Sequence, residues 1–397
     1  MNNLRNYIPD GMYDYLYDEE NIKISIEEKL KTTFKLNGFS KVETPLLEFY
    51  DVFDDQTKSI DVEKMYRLTD NNGRTLVLRP DMTTPIARVV STKVKDLTHP
   101  IKLFYSEYVY RKNDNYKGKL SEVPQVGVEV IGNNSVQCDV EVISTAIEAL
   151  LNANIKGFKI ELGQADYVHS LLKDIDLLDK SELINYIENK NYSAVLKYLN
   201  NNVDLIKDES FEVIRELPKL FGGKEVLEKA KSLTKNTKAL AALNNLENIY
   251  NQLDSMGLSE YLMIDLAMVQ TIHYYTGVIF KGYGEGLGEY ILSGGRYDNL
   301  CNHFDKELPA TGFAINTYQL IQLSKYNTVD NKIMIHSNTM LNKAYELMNK
   351  LHQENKIAEI SLYDSLEDTK DYALEKGYTL ILEITQDGYK EIKVGNK

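Results

Sequence analysis

Tryptophan is absent from this chain, and cysteine occurs only twice, at Cys138 and Cys301, with no CxxC or CxH spacing. That excludes a disulfide framework or a structural zinc site and fits a reducing cytosol. Lysine and arginine are also in deficit, 46 against 59 acidic residues, for a formal charge of −13. A general polyanion binder needs clustered cations on phosphates, so nucleic acid is not an expected partner, although a local basic pocket is still allowed. No run of 18 apolar residues occurs, and "MNNLRNYIPDG" has no apolar signal core, so a cytoplasmic chain with no membrane partner is expected. The 397 residues, 43% hydrophobic, suffice for two or three domains with sizeable cores.

What is present begins with a helix. Over residues 18–37, Ile22, Ile26, Leu30 and Phe34 recur every fourth position, a single apolar stripe. "GFSKVETPLLEFYDVF" then turns at Gly38 into a short strand ending at Pro45. The runs "MYRLTD", "TLVLRP", "IKLFYSEYVYR" and "SEVPQVGVEVIG" follow closely, separated by polar turns, which favours an antiparallel sheet over βαβ crossovers. "DVEVISTAIEALLNANI" predicts a covering helix, and "FKIELGQ" a further strand. Residues from about 168 to 258 read as a helical insertion rich in Leu, Lys, Glu and Asn. Strands resume at "YLMIDLAMV", "YYTGVIFKGYG" and "GEYILSGGRYD", and "GFAINTYQLIQL" (312–323) reads as a helix opening at Phe313. An α+β class follows, with domain one over 1–325 and a small C-terminal α/β unit over 326–397.

Four stretches could carry chemistry. In "LRPDMTTPIAR", Asp81 and the hydroxyls of Thr83 and Thr84 stand at a helix mouth, where Asp81 could receive an ammonium group or simply cap the helix. In "YVYRKNDNYKGKLSEVPQVGVEVIG", alternation places Gln125, Gly127 and Glu129 on one face opposite Arg111. That set could bind a zwitterion or form a cross-strand ion pair of little value. Gly127 in mid-strand would allow a ligand close to the backbone. In "VQTIHYYTGVIF", Tyr274 and Tyr275 would face opposite sides of a strand. In "LSGGRYDNL", two glycines precede Arg296, a weak signal that hairpin turns share. The six histidines have no metal-ligand spacing, and His273 reads as a hydrogen-bonded structural group or a pH-tuning one.

Taken in order, these motifs over residues 5–323 resemble the catalytic core of histidyl-tRNA synthetase, a class II aminoacyl-tRNA synthetase-like fold. "VETPLLE" resembles the first class motif, with Pro45 at a dimer contact, and "YVYRKND…VPQVGVEVIG" the second. "HYYTGVIF" and "GGRYDNL" resemble the two histidine motifs, and "GFAINTYQL" stands where the third class motif belongs. The resemblance implies a histidine site made of Asp81, Thr83, Arg111, Gln125, Glu129, Tyr274 and Tyr275. Asp81 stands where the family has Glu.

The departures fall on the ATP side. Tyr318 and Gln319 replace the family's terminal Glu-Arg, and Asn316 a glycine. Asn113 replaces an acid, Gln270 an arginine, and His273 an aspartate. Adenylation needs cations preorganised on phosphate oxygens, and losing one such group costs on the order of 10²–10³ in rate. The degenerate positions Asn113, Gln270 and Gln319 therefore predict no adenylation. Arg111 and Arg296 survive and leave a divergent synthetase as the alternative; a pocket that no longer binds anything is a third.

A retained amino-acid half beside a lost ATP half is similar to the regulatory subunits of ATP phosphoribosyltransferase, a family of synthetase paralogues. Membership implies a non-catalytic chain acting with a short-form catalytic phosphoribosyltransferase subunit in the first step of histidine biosynthesis. It further implies L-histidine as feedback effector, a homodimer within a larger hetero-oligomer, and neither cofactor nor metal.

Overall fold

The computed structural model describes residues 4–53, 60–94, 98–113, 119–173, 175, 180–206, 208–268, 275–324 and 332–395. The chain divides into two units, Met1–Lys325 and Tyr326–Lys397.

The first unit opens with helix α1 (Tyr17–Leu36), which buries Ile26, Leu30 and Phe34, the stripe expected from their spacing. Gly38, at φ +80°, turns the chain into β1 (Ser40–Lys41), a two-residue strand that ends well before Pro45. β2 (Leu47–Phe49), β3 (Arg67–Thr69) and β4 (Thr75–Leu78) form a small antiparallel sheet in the order β2-β4-β3. Helix α2 (Thr83–Lys93) follows, then the long hairpin of β5 (Ile101–Tyr110) and β6 (Glu122–Ile131).

Helix α3 (Val136–Asn152), capped by the Ser135 hydroxyl accepting from the Cys138 amide at 3.3 Å, is apolar enough to bury most of its length. It lies beside α1, where Asn152 Nδ2 donates to Thr33 Oγ1 at 3.0 Å and Asn37 Nδ2 to Glu148 Oε2 at 2.9 Å. After β7 (Phe158–Gln164) come helices α4 (Ala165–Lys173), α5 (Ser181–Glu188), α6 (Tyr192–Asn201) and α7 (Asp208–Glu216). The strand β8 (Phe221–Gly222) precedes α8 (Glu225–Leu233) and α9 (Thr237–Ser255), and β9 (Leu262–Asp265) returns to the sheet. β10 (Val278–Gly284), β11 (Tyr290–Arg296), β12 (Ala310–Asn316) and the short α10 (Thr317–Leu323) complete the unit.

Nine of these strands make one sheet in the order β1-β5-β6-β12-β11-β10-β7-β9-β8. The pairs β1–β5 and β7–β9 are parallel and the rest antiparallel, so the antiparallel expectation holds for the sheet's centre. Residues 310–316, by contrast, are strand rather than the start of a helix. β12 pairs with β6 on one side and β11 on the other, and only the Asn316 side chain, accepting from the Tyr318 amide at 3.1 Å, begins the helix. Backbone pairing on both edges outweighed the helical spacing of Ile315, Leu320 and Leu323, which local sequence alone could not reveal.

The second unit is a four-stranded sheet in the order β14-β13-β15-β16, formed by β13 (Ile333–His336), β14 (Ala358–Ile360), β15 (Leu380–Thr385) and β16 (Gly388–Lys393). The first three are mutually parallel and joined through α11 (Leu341–Gln353) and α12 (Leu366–Glu375). Apolar clusters lie on both faces of this sheet, around Ile335 and Leu351 on one and Met334 and Ala373 on the other. None of the described helices is long and apolar enough to cross a membrane, and among the described residues no group of His, Cys, Asp and Glu is placed to hold a metal ion.

Candidate functional site

The centre of the nine-stranded sheet carries a cavity of about 300 Å³. β6 supplies Gln125 and Glu129, four positions apart and therefore on one face of the pleat. Asp81 and Thr83 enter from the start of α2, Arg111 from the end of β5, and Tyr275 from the segment just ahead of β10. All six expected residues within the described chain thus meet in one cavity. Tyr274, Gln270 and His273 lie outside the described residues.

Glu129 is the electrostatic centre. Only 1% exposed, it accepts from Thr83 Oγ1 at 2.7 Å and from the Tyr297 hydroxyl. Burial pushes its carboxyl up to about 8, and the negative charge of Asp81 adds to the effect, while the Tyr297 and Thr83 hydroxyls oppose it. Tyr105, fully buried behind the pair, has its phenol pushed well up by the same burial and by the charges of Glu129 and Asp81. The floor thus carries two buried acids. It suits a ligand that brings positive charge and donors.

Asp81 takes the capping role that the sequence allowed. It accepts from the Thr84 amide at 2.8 Å and from Thr84 Oγ1 at 3.2 Å, and it still lines the cavity. Arg111 does not form the cross-strand pair with Glu129. Its Nε donates to the Pro80 carbonyl at 2.7 Å, which ties the cation to the segment bearing Asp81.

Three glycines need a different account from the one their positions suggested. Gly127 admits no ligand: a Cβ there would stand 2.3 Å from the Phe313 carbonyl oxygen and 2.6 Å from the Tyr105 hydroxyl. Its empty space is filled by protein. Gly294 and Gly295 sit within β11 rather than in a turn, and Gly295 receives the Tyr275 ring, 2.7 Å from where a Cβ would be. Tyr275 itself precedes the strand instead of lying on it. Arg296, after these glycines, is 6% exposed and held by Asp139 at 2.9–3.1 Å and Asp298 at 3.1 Å. It is not among the residues that line the cavity.

Sequence reasoning missed two residues here. Tyr297 was in plain view inside "GGRYD" beside Arg296. Gly312 pairs with Glu129 across β12 and β6, and a Cβ on it would lie 1.9 Å from Glu129 Oε2. A glycine inside an otherwise apolar strand was the available signal.

The cavity is also lined by Asn113, Asn316, Tyr318 and Gln319, and Asn316 pairs with Gln125 across β12 and β6. Asn113 Nδ2 donates to the Leu120 carbonyl at 2.7 Å, bracing the hairpin base. Among the described lining residues the cations are Arg111 and Lys119, and Lys119 is paired with Glu289 at 2.9 Å. Lys112, nearby in sequence, lies over the Tyr66 ring at 5.8 Å.

A nine-stranded, mostly antiparallel sheet with its pocket between the long β5–β6 hairpin and the mouth of α2 defines a class II synthetase-like protein. The family model for histidyl-tRNA synthetase matches residues 11–320. A Nostoc histidyl-tRNA synthetase superposes with a TM-score of 0.80 at 19% identity, over 98% of this chain and 97% of its own, a likeness of fold alone. A crystal structure described as an ATP phosphoribosyltransferase regulatory subunit/histidyl-tRNA synthetase, from Bacillus halodurans, gives 0.85 at 32% identity, over 96% and 98%. A Clostridium botulinum protein named ATP phosphoribosyltransferase regulatory subunit is 48% identical over 96% of this chain and 92% of its own. The chain belongs to the family of ATP phosphoribosyltransferase regulatory subunits, built on the histidyl-tRNA synthetase fold.

Proposed function

We propose that this chain is a non-catalytic regulatory subunit that binds L-histidine in the Glu129 cavity and acts on a short-form catalytic ATP phosphoribosyltransferase subunit. The observation that carries it is the make-up of the cavity: Asp81, Thr83, Arg111, Gln125, Glu129 and Tyr275 all converge on it, while Asn113, Tyr318 and Gln319, at the positions the resemblance assigns to ATP, bear no positive charge. Two buried acids beside a guanidinium match the ammonium and carboxylate of an amino acid. A triphosphate would meet acidic groups and a lysine already paired with Glu289.

Feedback then requires histidine to favour one of two arrangements of the complex, a coupling of about 1–3 kcal/mol that is reciprocal by linkage. A homodimer through the Pro45 region fits the exposure of Leu46, Leu47 and Phe49 nearby. The test is a phosphoribosyl-transfer assay of the catalytic subunit with and without this chain, across a histidine titration, beside calorimetry on this chain alone. Activity only in the mixture, lowered by histidine, and heat of histidine binding are expected. Histidine-dependent ATP–pyrophosphate exchange by this chain alone would instead establish the divergent-synthetase alternative.

A further inference from the structure

The N-terminal segment 4–17 presents large apolar side chains outward. Leu4, Tyr7, Ile8, Leu16 and Tyr17 are 75%, 73%, 48%, 61% and 79% exposed. A loose tail would not hold such a patch in place, but this one is fastened at several points. The Gly11 carbonyl accepts from the Ser121 amide at 2.7 Å and the Glu122 amide at 3.3 Å, where β6 begins. Gly11 needs its φ of +76° there, since a Cβ would meet Ser121 Oγ at 2.4 Å. The Tyr13 hydroxyl donates to Glu19 on α1 at 2.8 and 2.9 Å, and the Lys23 ammonium lies 4.8 Å from the Tyr15 ring centroid. Tyr17 enters α1 at φ +50°, a conformation that costs a bulky residue energy and that surrounding structure must hold. Several large apolar side chains exposed along one tethered segment mark an interaction surface.

The segment also touches the cavity wall. Tyr318, which lines the cavity, meets Tyr13 edge-on at 5.5 Å and Tyr15 at 6.4 Å. Charge narrows the identity of what docks. Asp10, Asp14, Asp18, Glu19 and Glu20 interleave with the apolar residues, and Arg5 is the one cation from residue 4 to 20. A second copy of the same acidic segment would be repelled. Resting on the functional reading above, we propose that segment 4–17 is the docking surface for the catalytic partner subunit, engaging a face of that subunit with apolar pockets and a basic rim.

The test uses two full-length variants, Tyr7→Ser with Leu16→Ser, and Asp10→Lys with Asp14→Lys. Affinity for the catalytic subunit is measured by sedimentation and surface plasmon resonance at 50 and 300 mM salt. Each variant is expected to bind the partner on the order of tenfold or more weakly, and the charge-reversed one to lose the salt dependence of the wild type. Histidine calorimetry and self-assembly of the variants should match the wild type. Partner affinity within twofold of wild type in both variants overturns the proposal, as does loss of self-assembly with partner binding intact. A wild-type chain that binds no catalytic subunit would overturn the functional reading as well, which separates the two failures.

Discussion

Thr83 Oγ1 donates to Glu129 Oε1 at 2.7 Å, joining the first residue of α2 to the middle of β6, 46 positions away in sequence. With the Tyr297 hydroxyl on the other oxygen, both lobes of a fully buried carboxylate are occupied by neutral donors. The hydroxyls hold its geometry. They do not supply the countercharge that ionisation needs.

Stability should therefore depend on pH through Glu129. Its folded value, about 8, lies above the ordinary 4.5, so the folded state keeps a proton that the unfolded chain sheds. The resulting stability is fully present below pH 4.5 and is lost as pH rises toward 8, by on the order of 4 kcal/mol. Glu129→Gln should flatten that fall in thermal unfolding followed from pH 5 to 8.5. An unchanged slope in the variant would show that Glu129 is ionised in the fold.

Histidine binding should suffer in the same variant. A ligand cation would draw Glu129, about half ionised at pH 8, into its charged form, so losing the acid costs about 1.5–3 kcal/mol, or roughly 10–150-fold in Kd by calorimetry at that pH. Thr83→Val, which deletes one donor and keeps the shape, should cost about tenfold. Equal affinity in all three proteins would place the ligand elsewhere.

Gly312→Ala tests the close approach of β12 to Glu129. The added methyl would lie 1.9 Å from Glu129 Oε2 and 2.4 Å from the Val128 carbonyl oxygen. Backbone cannot yield as a side chain can, so a loss of about 1–3 kcal/mol is expected together with loss of histidine binding. A variant with wild-type melting temperature and affinity would contradict the packing described.

Arg296 is predicted to be structural. Arg296→Ala leaves Asp139, 3% exposed, as a buried unpaired acid, at a cost of about 3–5 kcal/mol. Arg296→Met combined with Asp139→Leu should recover most of it, because the desolvation of both charges is removed together. Chemical denaturation of the three proteins measures this; a double variant no more stable than the single one would argue against it.

Much of this was legible from residues alone. The α1 stripe, the β5–β6 hairpin and the polar residues on β6 follow from local periodicity, which backbone geometry enforces over a few residues. The misreadings have one origin. Gly127 looked like an opening for a ligand and Gly294 and Gly295 like a weak turn signal, yet Phe313, Phe280 and Tyr275, brought in from elsewhere in the chain, occupy their space. Arg296 looked available until α3 brought Asp139 against it. The helix expected from Phe313 became strand through its two neighbours.

The sequence by itself determined which chemical groups exist and in what order: an acid and two threonines at a helix mouth, alternating polar groups on a strand, and uncharged Asn113, Gln270 and Gln319 at positions that the resemblance assigns to ATP. Order and periodicity are local properties that a chain carries before it folds. Whether Glu129 would be paired with a cation or left to neutral hydroxyls, and whether each glycine faced ligand or protein, was decided only in the tertiary structure. Both depend on distances between strands far apart in sequence, where burial and the dielectric of the interior arise.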